Sequence, residues 1–199
     1  MSSPIKLRSS VSDIDHSLGS VDAPMVLLEY GDYECSFCGQ AYWIVKELQQ
    51  TLGDQLRVIF RNFPLTEIHP YALNAAMAAE AAGLQDRFWK MHDVLFENQE
   101  RLTPTNIQSY AGLLGLKIDK FNQDLESKKV QERVSSDFYG GARTGVNGTP
   151  TFFVNGYRFD GDWTTDELLT TLNGVQSRKV QRRARSSSNP KEADEKALR

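Results

Sequence analysis

Cysteine is scarce in this chain, with two in 199 residues, and histidine hardly commoner, with three. So few thiols exclude a small disulfide scaffold, and two cysteines with three scattered histidines make a poor zinc site, which takes about four ligands. No apolar run approaches the roughly 20 residues of a membrane-spanning helix. Met1 to Ala23 also lacks the basic start and apolar stretch of a secretory signal. With Met1 as the native start, the expected location is the cytosol, where glutathione and thioredoxin systems keep most thiols reduced. The formal net charge of -3 gives no electrostatic reason to expect nucleic acid. What remains, 40% hydrophobic and 25% charged, is an ordinary globular composition at a length suited to one domain.

Charge and pattern divide the chain unevenly. Gln176 to Arg199 carries +5, leaving -8 on the rest. Residues 175–199 therefore read as a charged tail, disordered or loosely helical, and the polar, Ser-rich residues 1–22 as a mobile lead-in. The fold is expected over 23–174, beginning near Pro24.

Met25 to Tyr30 is apolar on both alternate faces except for Glu29, the pattern of a strand in the middle of a sheet. Ala41, Ile44, Val45, Leu48 and Leu52 then recur at helical spacing and Gly53 follows as a cap, while Leu56 to Phe63 alternates as a second strand stopped by Pro64. This is a βαβ unit with a parallel, right-handed connection. From about 69 to 143 the signals are helical: Pro70 to Ala82, Asp86 to Asn98, a helix capped at Thr103-Pro104 and closed by Gly115, then Asp119 to Phe138. Thr151 to Val154 returns to strand character, Asn155-Gly156 is a two-residue type I′ hairpin signal into Tyr157-Arg158-Phe159, and Thr164 and Glu167 have capping-box spacing for a last helix.

The chemistry lies in Cys35-Ser36-Phe37-Cys38, placed between the buried strand and the amphipathic helix. A helix starting near Ser36 puts Cys35 at its N-cap, where unpaired N–H groups and the positive end of the helix dipole favour an anion. A cysteine there ionises with a pKa of roughly 3.5 to 7.5 instead of about 8.5, which makes Cys35 the candidate nucleophile. Cys38, one turn on, is the candidate resolving thiol. Half a zinc site is the competing explanation, and the missing ligands count against it.

Glu29, six residues before Cys35, has a pKa raised by burial if it faces the core, and could then exchange a proton with Cys38. The alternative is an ordinary carboxylate at a sheet edge. Gly148-Thr149-Pro150-Thr151 precedes a strand, and taken alone it reads as a trans-proline turn, since cis forms are about 5% of X-Pro bonds in folded proteins.

Taken together, the segments Glu29-Tyr30-Gly31-Asp32-Tyr33-Glu34-Cys35, Arg61-Asn62-Phe63-Pro64-Leu65 and Gly145 to Gly156 resemble the DsbA-like branch of the thioredoxin superfamily. The likeness is to a bacterial subgroup also found fused to sodium/proton antiporters. It implies an α/β thioredoxin fold, βαβ plus a terminal β-hairpin and helix, with a helical insertion. It also implies that Cys35 is the exposed attacking cysteine, Cys38 its buried partner, Glu29 the buried acid beneath them and Pro150 a cis-proline facing the disulfide. The backbone of Thr149 would pair with an extended substrate segment, with Ser36 and Phe37 flanking it. Ser36-Phe37 lacks the histidine of strongly oxidising relatives, which points to a less oxidising centre.

The expected function is thiol-disulfide exchange without metal or organic cofactor, the redox centre being the Cys35–Cys38 disulfide itself. Partners would be protein or peptide thiols and disulfides, with glutathione or a thioredoxin-type protein as reductant. Two alternatives stand beside it: a glutathione-dependent transferase or isomerase of the kappa or 2-hydroxychromene-2-carboxylate type, whose members generally lack paired cysteines, and a non-catalytic binding module.

Overall fold

Two strands precede the cysteines, β1 (His16–Leu18) and β2 (Met25–Gly31), in the computed structural model, which describes residues 4–174. Helix α1 (Ser36–Leu52) follows β2, and β3 (Leu56–Asn62) lies parallel to β2 with Glu29 opposite Phe60. Met25, Leu27, Leu28 and Tyr30 are all buried, so β2 hides both its faces, as its unbroken apolar run requires. Each such side chain contributes roughly 1.5–3 kcal/mol relative to exposure.

The long helical stretch resolves into α2 (Ala72–Gly83), α3 (Phe88–Glu97), α4 (Pro104–Leu113), α5 (Ile118–Leu125) and α6 (Lys128–Thr144). The helical pattern read over Asp119 to Phe138 is divided between α5 and α6 in the structure. Ser127 has an extended backbone and its hydroxyl accepts from Val130 N, capping a new helix.

Strands β4 (Thr151–Val154) and β5 (Tyr157–Arg158) close the sheet, in the order β1-β3-β2-β4-β5, and residues 165–174 form a last helix. Asn155 and Gly156 take φ of 47° and 83°, the two positive values a type I′ turn needs. The Asn155 side chain also accepts from Val26 N at 2.8 Å, tying the turn to β2. Phe159 falls outside β5, although its N–H still bonds Phe152 O. At the last helix, Glu167 N donates to Thr164 Oγ1, with Leu168 and Leu172 buried.

One expectation is corrected. Residues 4–22 are not a loose lead-in: β1 pairs antiparallel with β3, Leu7 is buried, and Leu7 N and Arg158 N donate to Gly156 O and Ile5 O. Asp15 is buried against Arg61 at 2.7 and 2.9 Å. These partners lie far along the chain, so local polarity gave no sign of them. The expected tail over 175–199 lies outside the described residues.

Three apolar clusters result. One joins α1 and the last helix to one face of the sheet, a second packs α6 against the other face, and the third fills the helical insertion and reaches Cys35 and Cys38.

Candidate active site

The chain leaves β2 through Gly31 and turns at Asp32, whose carboxylate organises the entry into α1. Its Oδ1 accepts from Glu34 N at 2.8 Å, and its Oδ2 accepts from Leu65 N at 2.8 Å and faces His69 Nδ1 at 2.8 Å. The Asp32 carbonyl accepts from Cys35 N. Cys35 then sits at the N-cap of α1 with an extended backbone, φ -72° and ψ 118°, and Ser36 begins the helix.

Both cysteines are free thiols. The Cys35 thiol donates to Thr149 O at 3.4 Å, and Asp32 N donates to Cys38 Sγ at 3.4 Å. Cys35 is 5% exposed, less open than the family resemblance implied, with its sulfur against the Thr149 carbonyl. Cys35 has its pKa held down to about 5, first by the hydrogen bond from the Cys38 thiol, against the opposing effect of burial, then by Thr149 and the backbone N–H groups of Cys38 and Phe37. Cys35 is the N-cap residue without a side-chain capping bond, and the Cys38 thiol outweighs the helix start as the stabiliser of its anion. Thr149 Oγ1 is buried and unpartnered beside the neutral thiol, so its O–H is a donor for the thiolate. Cys38 is driven the other way: burial pushes its pKa well up, aided by the bond to Cys35 and by the charges of Glu29 and Cys35.

Glu29 is 4% exposed and flanked across the sheet by Phe60 and Phe152. Its Oε1 has no hydrogen-bond partner, and burial, then the charge on Cys35, pushes the carboxyl up to about 8. It lines a narrow cavity of about 10 Å³ together with Tyr42, Lys46, Trp89, His92 and Asp93, about the room one water needs. His92 is held neutral by burial, its pKa pushed down to about 3, and its Nδ1 meets the Tyr33 hydroxyl at 3.2 Å.

The remaining expected residues converge on the same spot. Ser36 and Phe37 are exposed, and Phe37 stands edge-on to Trp163, centroids 6.4 Å apart. Thr149 and Pro150 are half-buried and joined by a cis peptide bond. Among the described residues no three His, Cys, Asp or Glu side chains are grouped to hold a metal; His16, His69 and His92 are engaged with Glu80, Asp32 and Tyr33 respectively.

Sequence reasoning passed over Asp32, His69 and Gln99. Gln99 Nε2 donates to Tyr33 O and Cys35 O, both at 2.9 Å. Asp32 stands in a segment that carries the family resemblance, though with no sign of its role as an acceptor; Gln99 had no local signal.

Residues 12–174 match the family model described as thioredoxin. The Na(+)/H(+) antiporter NhaA 1 of Salinispora arenicola is 44% identical over 163 residues, covering 82% of this chain and 25% of that protein. NhaA 1 of Mycolicibacterium vanbaalenii is 43% identical over 168 residues, covering 83% and 27%. The chain thus spans about a quarter of the length of these curated relatives. Among solved structures, oxidised BdbD from Bacillus subtilis aligns with a TM-score of 0.76 at 24% identity, over 88% of this chain and 100% of that one. Alpha-DsbA1 from Wolbachia pipientis aligns at 0.74 and 21% identity, over 86% and 96%. The fold is therefore the DsbA-like form of the thioredoxin fold, with its helical insertion.

Proposed function

The chain belongs to the thioredoxin family, and from that premise we propose that it is a thiol-disulfide oxidoreductase acting through a mixed disulfide at Cys35. One observation carries the proposal: two free thiols sit at the start of α1, Cys35 at its N-cap against the Thr149 carbonyl and Cys38 buried one turn on, in surroundings that drive Cys35 toward the thiolate and Cys38 toward the thiol. That asymmetry divides the labour of exchange, since the thiolate is the attacking species.

In the reducing direction, the Cys35 thiolate attacks one sulfur of a substrate disulfide. The substrate S–S bond breaks, the Cys35–substrate S–S bond forms, and the other substrate sulfur leaves as a thiolate that takes a proton from water. Forming this bond removes the Cys35 charge, one of the two causes that raise Glu29, so Glu29 then releases its proton more readily. As a carboxylate it accepts the Cys38 proton. The Cys38 thiolate attacks Cys35 Sγ, the Cys35–substrate S–S bond breaks, the second substrate sulfur leaves as a thiolate that takes a proton from water, and a Cys35–Cys38 disulfide remains. Thr149, whose backbone carbonyl already meets the Cys35 thiol, offers its edge to an extended peptide.

A Cys35 pKa of about 5 lies between the roughly 7 of thioredoxin and 3.5 of DsbA, which supports a centre less oxidising than DsbA. In the cytosol, glutathione or a thioredoxin-type reductant would keep the pair reduced and the enzyme reducing. Antiport, the activity named for the curated relatives, needs a membrane-embedded path, and no helix of the described residues is long and apolar enough to cross a membrane. The paired cysteines speak against a glutathione transferase or isomerase.

The test is turnover on a disulfide-bonded model protein. Cys35→Ser loses it, and Cys38→Ser accumulates mixed disulfides that dithiothreitol releases. Full turnover in Cys35→Ser would end the proposal.

A further inference from the structure

The helical insertion reaches the redox centre through one side chain. Gln99 lies just past α3, and its Nε2 donates to the carbonyls on both sides of Glu34, those of Tyr33 and Cys35, each at 2.9 Å. Tyr33 is almost wholly buried, so its carbonyl needs a protein donor. The Cys35 carbonyl already accepts the first bond of α1, from Gly39 N at 3.1 Å. Gln99 therefore fixes both peptide planes that set where Cys35 Sγ points.

That direction matters because Cys35 is stabilised as an anion only while its sulfur meets the Cys38 thiol, Thr149 and the first N–H groups of the helix. The cap has no side-chain oxygen of its own to hold the geometry. Gln99 is in turn held by α3, which is bolted to α1: Tyr42 Oη donates to Asp93 Oδ1 at 3.2 Å and Glu97 Oε1 at 3.0 Å, and Lys46 pairs with Asp93 at 2.7 Å. Gly39 leaves the space: a Cβ built there would lie 1.9 Å from Gln99 Oε1.

We propose that Gln99 is a positioning residue for the nucleophile, using its carboxamide to clamp the Tyr33 and Cys35 carbonyls so that the Cys35 sulfur stays in the capping position of α1. The inference rests on the exchange function proposed above. The insertion thereby sets the reactivity of a sulfur carried by another part of the fold.

The decisive measurement is the rate of Cys35 alkylation against pH in the full chain, followed by iodoacetamide labelling or thiolate absorbance, beside the urea midpoint. Gln99→Met keeps the length and removes both bonds. Gly39→Ala leaves the carboxamide intact and displaces it, while Ala raises intrinsic helix stability. Both variants should shift the alkylation midpoint upward by about half a unit or more, a roughly threefold loss of thiolate at about pH 4. Gln99→Asn, too short to span both carbonyls, should not restore it. If Gln99→Met fails to fold, Gly39→Ala decides. Folded variants with the wild-type midpoint overturn the clamp alone. A wild-type Cys35 that titrates as an ordinary thiol overturns the exchange function, and the clamp with it.

Discussion

The central pair of strands carries two buried charged centres, one on each face, and they are built on opposite principles. On the α6 side, Arg61 of β3 is closed in by Asp15 at 2.7 and 2.9 Å, by the Ser9 and Ser10 carbonyls and by the Tyr30 hydroxyl. Burial pushes Asp15 up, yet the bonds and charge of Arg61 leave its pKa below the usual carboxylate value. On the α1 side, Glu29 of β2 is as deeply buried and has no cation bonded to it; its Oε1 is unpartnered and its pKa rises to about 8. The same sheet thus holds one carboxylate whose charge is locked and one whose proton is loose. A matched charge fixes structure, and an unmatched acid beside two sulfurs is available for proton transfer.

The difference can be broken hardest from the matched side. Arg61→Ala leaves buried Asp15 with only Arg133, 3.7 Å away, and should cost about 3 kcal/mol in urea unfolding, with the Cys35 alkylation midpoint unmoved in the folded fraction. A shifted midpoint would mean that the two centres communicate.

Glu29→Gln tests the unmatched side. A raised folded-state pKa contributes stability that is present below about 4.5 and lost as pH rises through about 8. Gln cannot ionise, so the variant should gain about 2–4 kcal/mol on wild type between pH 5 and 8. Cys35, with its depressed pKa, titrates in the opposite sense over part of this range. The oxidised protein, which lacks that thiol, gives the cleaner comparison. The same variant should release mixed disulfides more slowly; an unchanged release rate would remove Glu29 from the mechanism.

Gly141→Ala sharpens the contrast by packing alone. Its Cβ would meet the Tyr30 ring at 2.9 Å and Phe63 at 3.0 Å, so about 1–3 kcal/mol should be lost with redox behaviour intact. Ser127→Ala, touching neither centre, should cost about 1 kcal/mol through the lost cap of α6. Differential scanning calorimetry checks both.

Legibility in the sequence tracks the range of the interactions. Strand β2, helix α1 and the hairpin turn were legible because an unbroken apolar run, a period of 3.6 and the Asn155-Gly156 pair are each written within a few residues. The cysteine pair was legible from its place between strand and helix. Strand β1 was not, being three residues long, polar and defined by pairing with β3. Nor was the break between α5 and α6, where one serine hydroxyl redirects a continuous helical pattern. His69 and Gln99, and Asp32 in its bonds to Leu65 and His69, act through partners 33 or more residues distant. Family resemblance alone turned Pro150 toward the cysteines and gave Thr149 to the substrate, and the meeting of Thr149 with Cys35 itself had no signal.

That meeting spans 114 residues, and β2 keeps an open hydrogen-bonding edge until β4 arrives beside it. During synthesis the cysteines therefore leave the ribosome long before the strand that completes their surroundings. A nascent chain stopped short of Thr149 would present an unfinished sheet edge next to a thiol lacking its Thr149 contact, a species prone to wrong pairings and slow to mature because its decisive contact is so non-local.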